Sequence, residues 1–362
     1  MIGIARCAAV SSAVAAHGLD AVVIVHPTNV AYAAGFHATP FERLIALVLT
    51  PAGEVRLVVP SLEEEAAAAV DGRLFVWEDA DGPAAALTAG LAGLPANAKI
   101  GIEHEFLSVA RLGLLQSVLP HAEISDFGPA LVELRVTKDA DELALIAAAA
   151  EVADHVVGEV AANAVRRGVT ESEASMACAQ AIEAAGGRVQ GRPLVLAGPR
   201  AALPHGSPDA TPFEAGGFVL CDFVFTVDGY WSDITRTFVI GEPDARQREM
   251  FDVVRAAQLA AVAAVAPGVT AAAIDRAARA VIEDAGFGEY FVHRTGHGIG
   301  LDVHEAPYLN AANEEPLRAG MVVTIEPGVY IPGVGGVRIE DVVVVTEDGH
   351  DVLTHYPIAL AV

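Results

Sequence analysis

Carboxylates interrupt two long apolar stretches of the chain, and the first stretch predicts a β-hairpin. Residues 217–227 form a run of apolar and β-branched residues with Asp222 at its centre, which predicts a buried strand. The dipeptide at 228–229 is Asp-Gly, a strong hairpin signal. The return strand, 230–240, carries Asp233 close to the turn. This arrangement predicts that the two carboxylates lie within reach of each other.

The C-terminal part of the chain has a similar pattern. Segments 321–328 and 336–341 are β-branched runs bounded by Gly and Pro; they predict strands, and they carry Glu326 and Glu340. His297, flanked by glycines, precedes them. Any one of these carboxylates alone is more typical of an ion pair or a turn cap. Because an unpaired buried carboxylate is costly, the whole set favours an oxygen-rich metal site.

The elements before residue 130 predict a compact α/β domain. Its helices are predicted near 5–17 and 62–70, and its strands at 21–25, 45–49, 55–59 and 99–103. We expect this domain, residues 1–130, to serve in oligomerisation and to form a wall of the site through the loop at 36–43. A boundary near residues 127–129 separates it from a second domain over 135–362.

The second domain contains an internal repeat. The tripeptide Gly-Val-Thr occurs at 168–170 and again at 268–270, each time after an Ala-rich helical pattern (141–167 and 246–265) and before a shorter helix. Helix caps are predicted at Thr137 or Asp139, at Thr170 with Glu173, and at Thr270. Two carboxylate-bearing strands follow each pair of helices. We therefore predict two similar α+β halves that face each other across a pseudo-twofold axis.

Composition and charge narrow the possible functions. The chain has 362 residues, enough for two domains, and a formal net charge of −25 argues against nucleic acid as a partner. No apolar run is long enough to predict a membrane-spanning helix. The three cysteines are scattered without a CxxC pair, which favours a reducing cytoplasm over a disulfide framework. The segment 1–16 is interpreted as a first helix and not as a signal peptide.

The order Asp222, Asp233, His297, Glu326 and Glu340 resembles that of the pita-bread metallopeptidases, the clan of methionine aminopeptidase and prolidase. The motifs that resemble its Xaa-Pro branch, prolidase and aminopeptidase P, are Pro204-His205-Gly206, Ser232–Thr237, Gly296–Glu305, Ile325–Tyr330 and Gly336–Asp341. The N-terminal part is also similar to that branch, in Asn29–Tyr32, Gly35-Phe36 and Glu42-Arg43, so the resemblance covers nearly the whole chain. One departure is Val224, where the family usually has glycine.

The resemblance implies a fold and a metal centre. The fold is α+β: a C-terminal pita-bread domain of two duplicated halves after a smaller α/β domain like the N-terminal domain of creatinase and prolidase. The implied metal ligands are Asp222, Asp233, His297, Glu326 and Glu340. This hard, oxygen-rich set suits two divalent ions, Mn²⁺ or Co²⁺, with Zn²⁺ or Fe²⁺ as alternatives. A water between the two ions would attack the peptide carbonyl.

The resemblance also implies roles around the metals. Glu326 would act as ligand and general base, and His304 would stabilise the oxyanion. His205 would orient the peptide near the leaving nitrogen, or it is only a turn residue. His293 would line the proline pocket. Arg338 would bind a substrate carboxylate, or it merely neutralises the nearby acids. Thr235 and Thr324 are plausible donors behind the ligands.

The implied activity is hydrolysis of the peptide bond between an N-terminal residue and proline. The main expectation is an Xaa-Pro dipeptidase, or prolidase, that acts on dipeptides in the cytoplasm as a homodimer. The first alternative is an Xaa-Pro aminopeptidase, aminopeptidase P, that acts on longer peptides. A second class is a metal-free relative, either a creatinase-like hydrolase or a non-catalytic peptide binder. Such relatives typically lack ligands, and this chain has all five positions filled.

Overall fold

The chain forms two compact units. The computed structural model describes residues 2–39 and 41–361. Contacts between Cα atoms divide the chain into Met1–Arg135 and Val136–Val362. We expected a boundary near residues 127–129, where the structure has a helix over Gly128–Val136, so the division comes at the end of that helix.

The first unit is one mixed sheet with helices. The helices are α1 (Ile2–Ala16), α2 (Pro27–Ala34), α3 (Glu64–Ala67), α4 (Ala84–Gly90), α5 (Val109–Val118) and α6 (Gly128–Val136). The strands are β1 (Ala21–Ile24), β2 (Ala46–Leu49), β3 (Val55–Pro60), β4 (Arg73–Trp77), β5 (Lys99–Ile102) and β6 (Glu123–Asp126). Their order in the sheet is β4-β3-β2-β1-β5-β6. Strands β1 and β2 are buried along their whole length, which makes the centre of the sheet the core of this unit.

The helix predicted over residues 62–70 was wrong in its extent. The structure has a 3₁₀ turn at Ser61–Glu63 and then only α3. The chain turns back after α3 because β4 begins at Arg73, beside β3. The sequence analysis also did not predict α2, α4, α5, α6, β4 and β6, whose short or exposed patterns carry little periodic signal.

The second unit contains four helices among the described residues. They are α7 (Ala140–Asn163), α8 (Glu171–Ala184), α9 (Ala245–Ala264) and α10 (Ala271–Asp284). Asp139, and not Thr137, is the N-cap of α7, and it forms a capping box with Glu142. Helix α7 ends at Asn163, before the predicted end at 167. None of the helices in residues 2–39 and 41–361 is both long and apolar enough to span a membrane.

The predicted internal repeat is confirmed by matching hydrogen bonds. The Gly168 amide donates to the Phe213 carbonyl at 2.9 Å, and the Gly268 amide donates to the Leu317 carbonyl at 2.8 Å. Isolated bridges join Thr170 to Pro212 and Thr270 to Pro316 in the same places. The two threonines are the N-caps of α8 and α10, as predicted. The two halves are therefore built in the same way.

The strands of the second unit form two sheets and a hairpin. They are β7 (Arg188–Val189), β8 (Leu194–Ala197), β9 (Phe218–Val227), β10 (Tyr230–Val239), β11 (Gly296–Gly298), β12 (Glu305–Leu309), β13 (Val322–Ile325), β14 (Gly328–Ile331), β15 (Gly335–Arg338), β16 (Asp341–Val345) and β17 (His350–Val352). One sheet has the order β10-β9-β7 with β8 also on β9, and the other has the order β12-β11-β13-β16-β17. Within the described part of the chain, strands β14 and β15 pair only with each other.

The β9–β10 hairpin has the predicted two-residue turn. Asp228 and Gly229 have φ angles of 49° and 87°, the positive values that this turn requires. Alternate residues of β9 face opposite sides of the sheet, so Cys221 and Phe223 are fully buried in the core while Asp222 is only partly buried. The hairpin thus presents its acidic residues away from the hydrophobic core.

The capping threonines generate a stability prediction. We expect Thr170→Ala and Thr270→Ala each to lower the free energy of unfolding of this unit by about 1 kcal/mol, because each removes the acceptor for a helix N-terminal amide. Chemical denaturation monitored by circular dichroism measures the change. Ser172→Ala in the first turn of α8 is the control, and its stability should stay at the wild-type value. Equal stability of all three variants would contradict the capping assignment.

Candidate metal centre

The β9–β10 hairpin brings two carboxylates to one face of the sheet. Asp222 lies opposite Thr235, and Asp233 lies opposite Val224. The two aspartates are therefore diagonal neighbours, which typically lie about 7–8 Å apart with their Cβ atoms somewhat closer, near enough to share a ligand. Val224 stands directly across from Asp233, where its side chain is partly buried.

His297 is held in the middle of a crowded strand. Strand β11 lies between β12 and β13, and both neighbours of His297 are glycines. A Cβ atom at Gly296 would lie 1.9 Å from the Thr324 carbonyl oxygen, and one at Gly298 would lie 2.1 Å from the Ala306 carbonyl oxygen. Only glycine permits this approach, so the two glycines allow the strand of His297 to lie close to both β12 and β13.

The two glutamates lie just outside the strands that were predicted to carry them. Glu326 directly follows β13, and Glu340 lies between β15 and β16. Each is held by its backbone: the Glu326 amide donates to the Thr295 carbonyl at 2.8 Å, and the Glu340 amide donates to the Thr235 carbonyl at 3.1 Å. At these strand ends the backbone leaves the ladder, which turns both side chains toward the centre.

The acids and the histidine converge. One ligand atom from each of Asp233, His297 and Glu340 lies within 4.8 Å of the others, and all three residues are buried. His297 Nε2 is 3.3 Å from Glu326 Oε1 and 3.8 Å from Asp233 Oδ2. His297 Nδ1 lies 3.0 Å from the Gly298 carbonyl oxygen, to which it donates in the tautomer that leaves Nε2 free to bind a cation.

Two buried oxygens of this cluster lack partners. Asp222 Oδ1 and Glu340 Oε1 make no hydrogen bond within residues 2–39 and 41–361. A buried carboxylate oxygen without a donor is costly, so its usual partner is a cation. Oxygen atoms with one imidazole are the donors that Mn²⁺ and similar ions accept. The residues present therefore fit a divalent metal site.

The pKa values of the acids also indicate a metal site. Burial, then the Glu340 charge, holds the pKa of Asp233 well above its usual range. Burial, then Glu340, does the same to the pKa of Glu326. Burial, then Asp222, raises the pKa of Glu340 to about 7. Protons or metal ions must therefore compensate the negative charge of this cluster, because the acids cannot all ionise side by side.

Arg338 compensates part of this charge. Its Nη2 contacts Asp222 Oδ2, its Nη1 donates to the Tyr330 hydroxyl at 2.7 Å, and its Nε donates to the Thr235 hydroxyl at 3.1 Å. The residue is 4 % exposed. These contacts support the neutralising role that the sequence left open, and they use three of the five guanidinium N–H groups; a substrate carboxylate would need the other two. The Thr235 hydroxyl also donates to Glu340 Oε2 at 2.6 Å, which links Arg338 to the cluster.

His293 lies at the end of a hydrogen-bonded chain. Its Nε2 is 2.9 Å from the Tyr330 hydroxyl, and its Nδ1 is 2.7 Å from the Arg294 carbonyl oxygen. Burial, then Arg338, lowers the pKa of His293 to about 4, so the ring is neutral at neutral pH. Both ring nitrogens are therefore engaged.

His304 and His205 are exposed side chains beside the cluster. The rings of His297 and His304 have centroids 4.2 Å apart. Burial, then Arg294, lowers the pKa of His304, and His205 is close enough to contribute to that shift and to the one at His293. The three histidines that were expected to act on substrate thus lie near one another.

Sequence reasoning missed two side chains that organise the site. Tyr330 connects Arg338 to His293, and a Cβ at Gly328 would lie 2.5 Å from its hydroxyl, so the glycine makes room for the tyrosine. Arg236 is almost fully buried and donates to the Glu340 carbonyl at 2.5 Å. Both residues stood in quoted motifs, but their contacts cross between strands that are far apart in sequence, and no local pattern reveals them.

Comparisons with known proteins agree with this geometry. Residues 144–347 match the family model of metallopeptidase family M24, and residues 6–137 match that of the creatinase/prolidase N-terminal domain. Together the two matches cover most of the chain.

Solved structures are similar over their full lengths. Dipeptidase PepE of Mycobacterium ulcerans is 39 % identical with a TM-score of 0.90, covering 100 % of this chain and 98 % of its own. A prolidase from Thermococcus sibiricus is 32 % identical with a TM-score of 0.94, covering 100 % and 99 %. An X-Pro aminopeptidase from Thermotoga maritima is 29 % identical with a TM-score of 0.90, covering 99 % of each chain.

The raised pKa values predict that metal binding is linked to protons. A raised pKa keeps Glu340 protonated up to about pH 7, so protons compete with the metal below that pH and stop competing above it. We expect Mn²⁺ affinity to rise with pH through about 7, with proton release on binding. Calorimetry in two buffers of different ionisation enthalpy measures the release, and Glu340→Gln should abolish its own share. Affinity that is independent of pH would contradict the prediction.

Proposed function

Because the chain belongs to metallopeptidase family M24, we propose that this metal-dependent peptidase is an Xaa-Pro dipeptidase. It would cleave the bond between an N-terminal residue and proline. The observation that carries the proposal is the largely buried cluster of Asp233, His297, Glu326 and Glu340, with two carboxylate oxygens that lack hydrogen-bond partners among the described residues and with the Arg338 guanidinium on Asp222. Solved relatives that are dipeptidases or prolidases support the choice of substrate.

The proposed cofactor is a pair of divalent ions in each chain, with Mn²⁺ the best fit to the donors. The residues that would hold it are Asp222, Asp233, His297, Glu326 and Glu340. When bound, the ions would supply Lewis-acid chemistry, polarising the substrate carbonyl and lowering the pKa of water. The chain's own contribution is a fixed, mostly buried frame for these five side chains.

Two side chains would carry the protons and the developing charge. Glu326 would take the proton from the attacking water as a general base. His304 would donate a hydrogen bond to the oxygen that becomes negative. Its lowered pKa keeps the ring neutral, so it donates a hydrogen bond without giving up its proton.

The remaining residues would position the substrate. His205, which is exposed beside His304 and His293, would orient the peptide near the leaving nitrogen. His293 would present its ring face to proline. Arg338 would set the charge of the pocket through Asp222, and its remaining N–H groups would favour a substrate carboxylate.

Xaa-Pro aminopeptidase activity is the second candidate, because the Thermotoga maritima enzyme of that name is similar over nearly its whole chain. The two functions differ in whether the site accepts residues beyond proline. A dipeptide carries its carboxylate on proline itself, so a dipeptidase needs a cation near the pocket, and Arg338 on β15, which contacts Asp222, is our candidate. The dipeptidase and the prolidase among the solved relatives favour the dipeptidase.

We also propose that the protein is a cytoplasmic homodimer whose N-terminal unit contributes to the interface. The three cysteines are free thiols, which suits a reducing compartment. Light scattering coupled to size-exclusion chromatography measures the mass, for which a dimer of the 37.4 kDa chain is expected. A monomer would refute the assembly without touching the proposed chemistry.

His304→Ala tests the division between ligands and substrate-binding residues. We expect kcat to fall by roughly 10²–10³-fold, the typical loss for an oxyanion donor, while metal content stays at the wild-type value. Asp233→Ala is the matched variant, which should lose at least one ion together with nearly all turnover. If His304→Ala loses metal instead, then His304 is a ligand and the role assigned to His297 is wrong.

Length selectivity tests the choice between the two peptidases. We expect Ala-Pro to be cleaved faster than Ala-Pro-Ala in the presence of Mn²⁺, because the dipeptide places its carboxylate next to Arg338. Arg338→Ala should raise KM for the dipeptide more than for the tripeptide. Equal or faster turnover of the tripeptide would move the assignment to Xaa-Pro aminopeptidase.

A further inference from the structure

A buried lysine lies behind the loop that joins His297 to His304. Lys138 is 4 % exposed, and its Nζ lies 2.7 Å from Glu305 Oε1 and 3.3 Å from the Val136 carbonyl oxygen. Glu305 directly follows His304 in the chain. The side chains of both partners are largely excluded from water, 1 % and 10 % exposed. Such an ion pair stays buried only because each charge has its partner.

Lysine is rare in this protein, which makes the buried one conspicuous. The chain has only two lysines among its 22 Lys and Arg residues. The other, Lys99, is exposed at the start of β5. An ammonium group is a compact point charge, whereas a guanidinium is a wider planar fork. Lys138 therefore meets a local requirement and does not serve solubility.

Backbone pairing and the ion pair both hold the loop in place. Gly298 pairs with Glu305 across β11 and β12, so residues 298–305 close on themselves at their base. Within the loop, the Asp302 amide donates to Glu305 Oε2 at 3.4 Å. A Cβ at Gly300 would lie 2.8 Å from Glu305 Oε1 and 3.1 Å from the Cε atom of Lys138. The loop backbone thus packs directly on the ion pair.

This loop sets the distance between the side chains of His297 and His304. His297 stands at one end of this loop and His304 at the other, with ring centroids 4.2 Å apart. The glycines fix His297 within its strand, whereas His304 is exposed and lies just before β12. Glu305 is the next residue, and its attachment to Lys138 sets where the His304 backbone lies.

We propose that Lys138 and Glu305 are positioning residues that hold His304 at its working distance from His297. The inference rests on the proposed function, in which His304 contacts the substrate. Lys138 itself touches neither substrate nor metal. It acts through Glu305 and the loop, so its removal should alter turnover and leave metal binding intact. A shift of about 1 Å in a catalytic group can cost roughly 10²-fold in rate.

The test is a double-mutant cycle between the ion pair and His304. Replacing both ions, as Lys138→Met with Glu305→Leu, avoids leaving one buried charge alone, and such apolar replacements are often tolerated. Glu305→Gln is a second variant that keeps the shape of the side chain but removes its charge from beside Lys138, so its thermal stability must be measured alongside kcat. Lys99→Met is the matched control, because it removes the only other lysine. Each variant is measured for thermal stability, metal content, kcat and KM for Ala-Pro.

A positioning role predicts a specific pattern. The double replacement should lower kcat by about 10- to 100-fold with metal content unchanged, and Glu305→Gln should lower it in the same direction. In the His304→Ala background, the same replacements should change kcat little further, because the group they position is gone. Lys99→Met should match the wild type.

Three results would overturn the inference. Wild-type kcat in the folded double replacement would show that the pair positions nothing. An equal fall of kcat in the wild-type and His304→Ala backgrounds would show that the pair acts on the fold in general. Loss of metal would show that it acts through His297. By contrast, full activity of His304→Ala alone would refute the proposed role of His304, and that outcome is read from a different variant.

Discussion

The repulsion among carboxylates gathered in one buried place is the constraint on which the rest of the structure depends. Asp233, Glu326 and Glu340 all have raised pKa values, with burial as the largest cause. Folding such a cluster without compensation is unfavourable, and a single arginine at Asp222 offsets only part of it. The buried acids therefore need cations to offset their charge. Without such cations the cluster is costly to fold, and the same acids supply the ligands of a metal centre.

The duplicated fold is what allows the acids to meet. Each half ends in strands that bring two of the four acids to the centre, and the matching bonds at Gly168 and Gly268 show that the halves share one plan. Hydrogen bonds around the ligands hold the site in place. Arg236 donates to the Glu340 carbonyl, and the Tyr330 hydroxyl connects Arg338 to His293. His205 and His304 lie at the exposed rim of this frame.

The sequence predicted the features that depend on local pattern. The Asp-Gly hairpin, the capped helices at Thr170 and Thr270 and the repeat were readable because turn and cap chemistry act within a few residues. Glu326 and Glu340 were predicted within strands but lie just outside the strand ends, because irregular strand ends carry no periodic signal. Contacts such as Lys138 with Glu305 join residues 167 positions apart, and only the tertiary structure reveals them. The glycines beside His297 were noticed, but their cause, contact with two backbone carbonyls, was not predictable.

The metal centre is tested most directly by a crystal structure of the protein grown with Mn²⁺, with data collected at the manganese absorption edge. Anomalous scattering locates the ions independently of any assumption about ligands. We predict two anomalous peaks in each chain, enclosed by Asp222, Asp233, His297, Glu326 and Glu340. A single peak, or none, within this cluster would contradict this prediction.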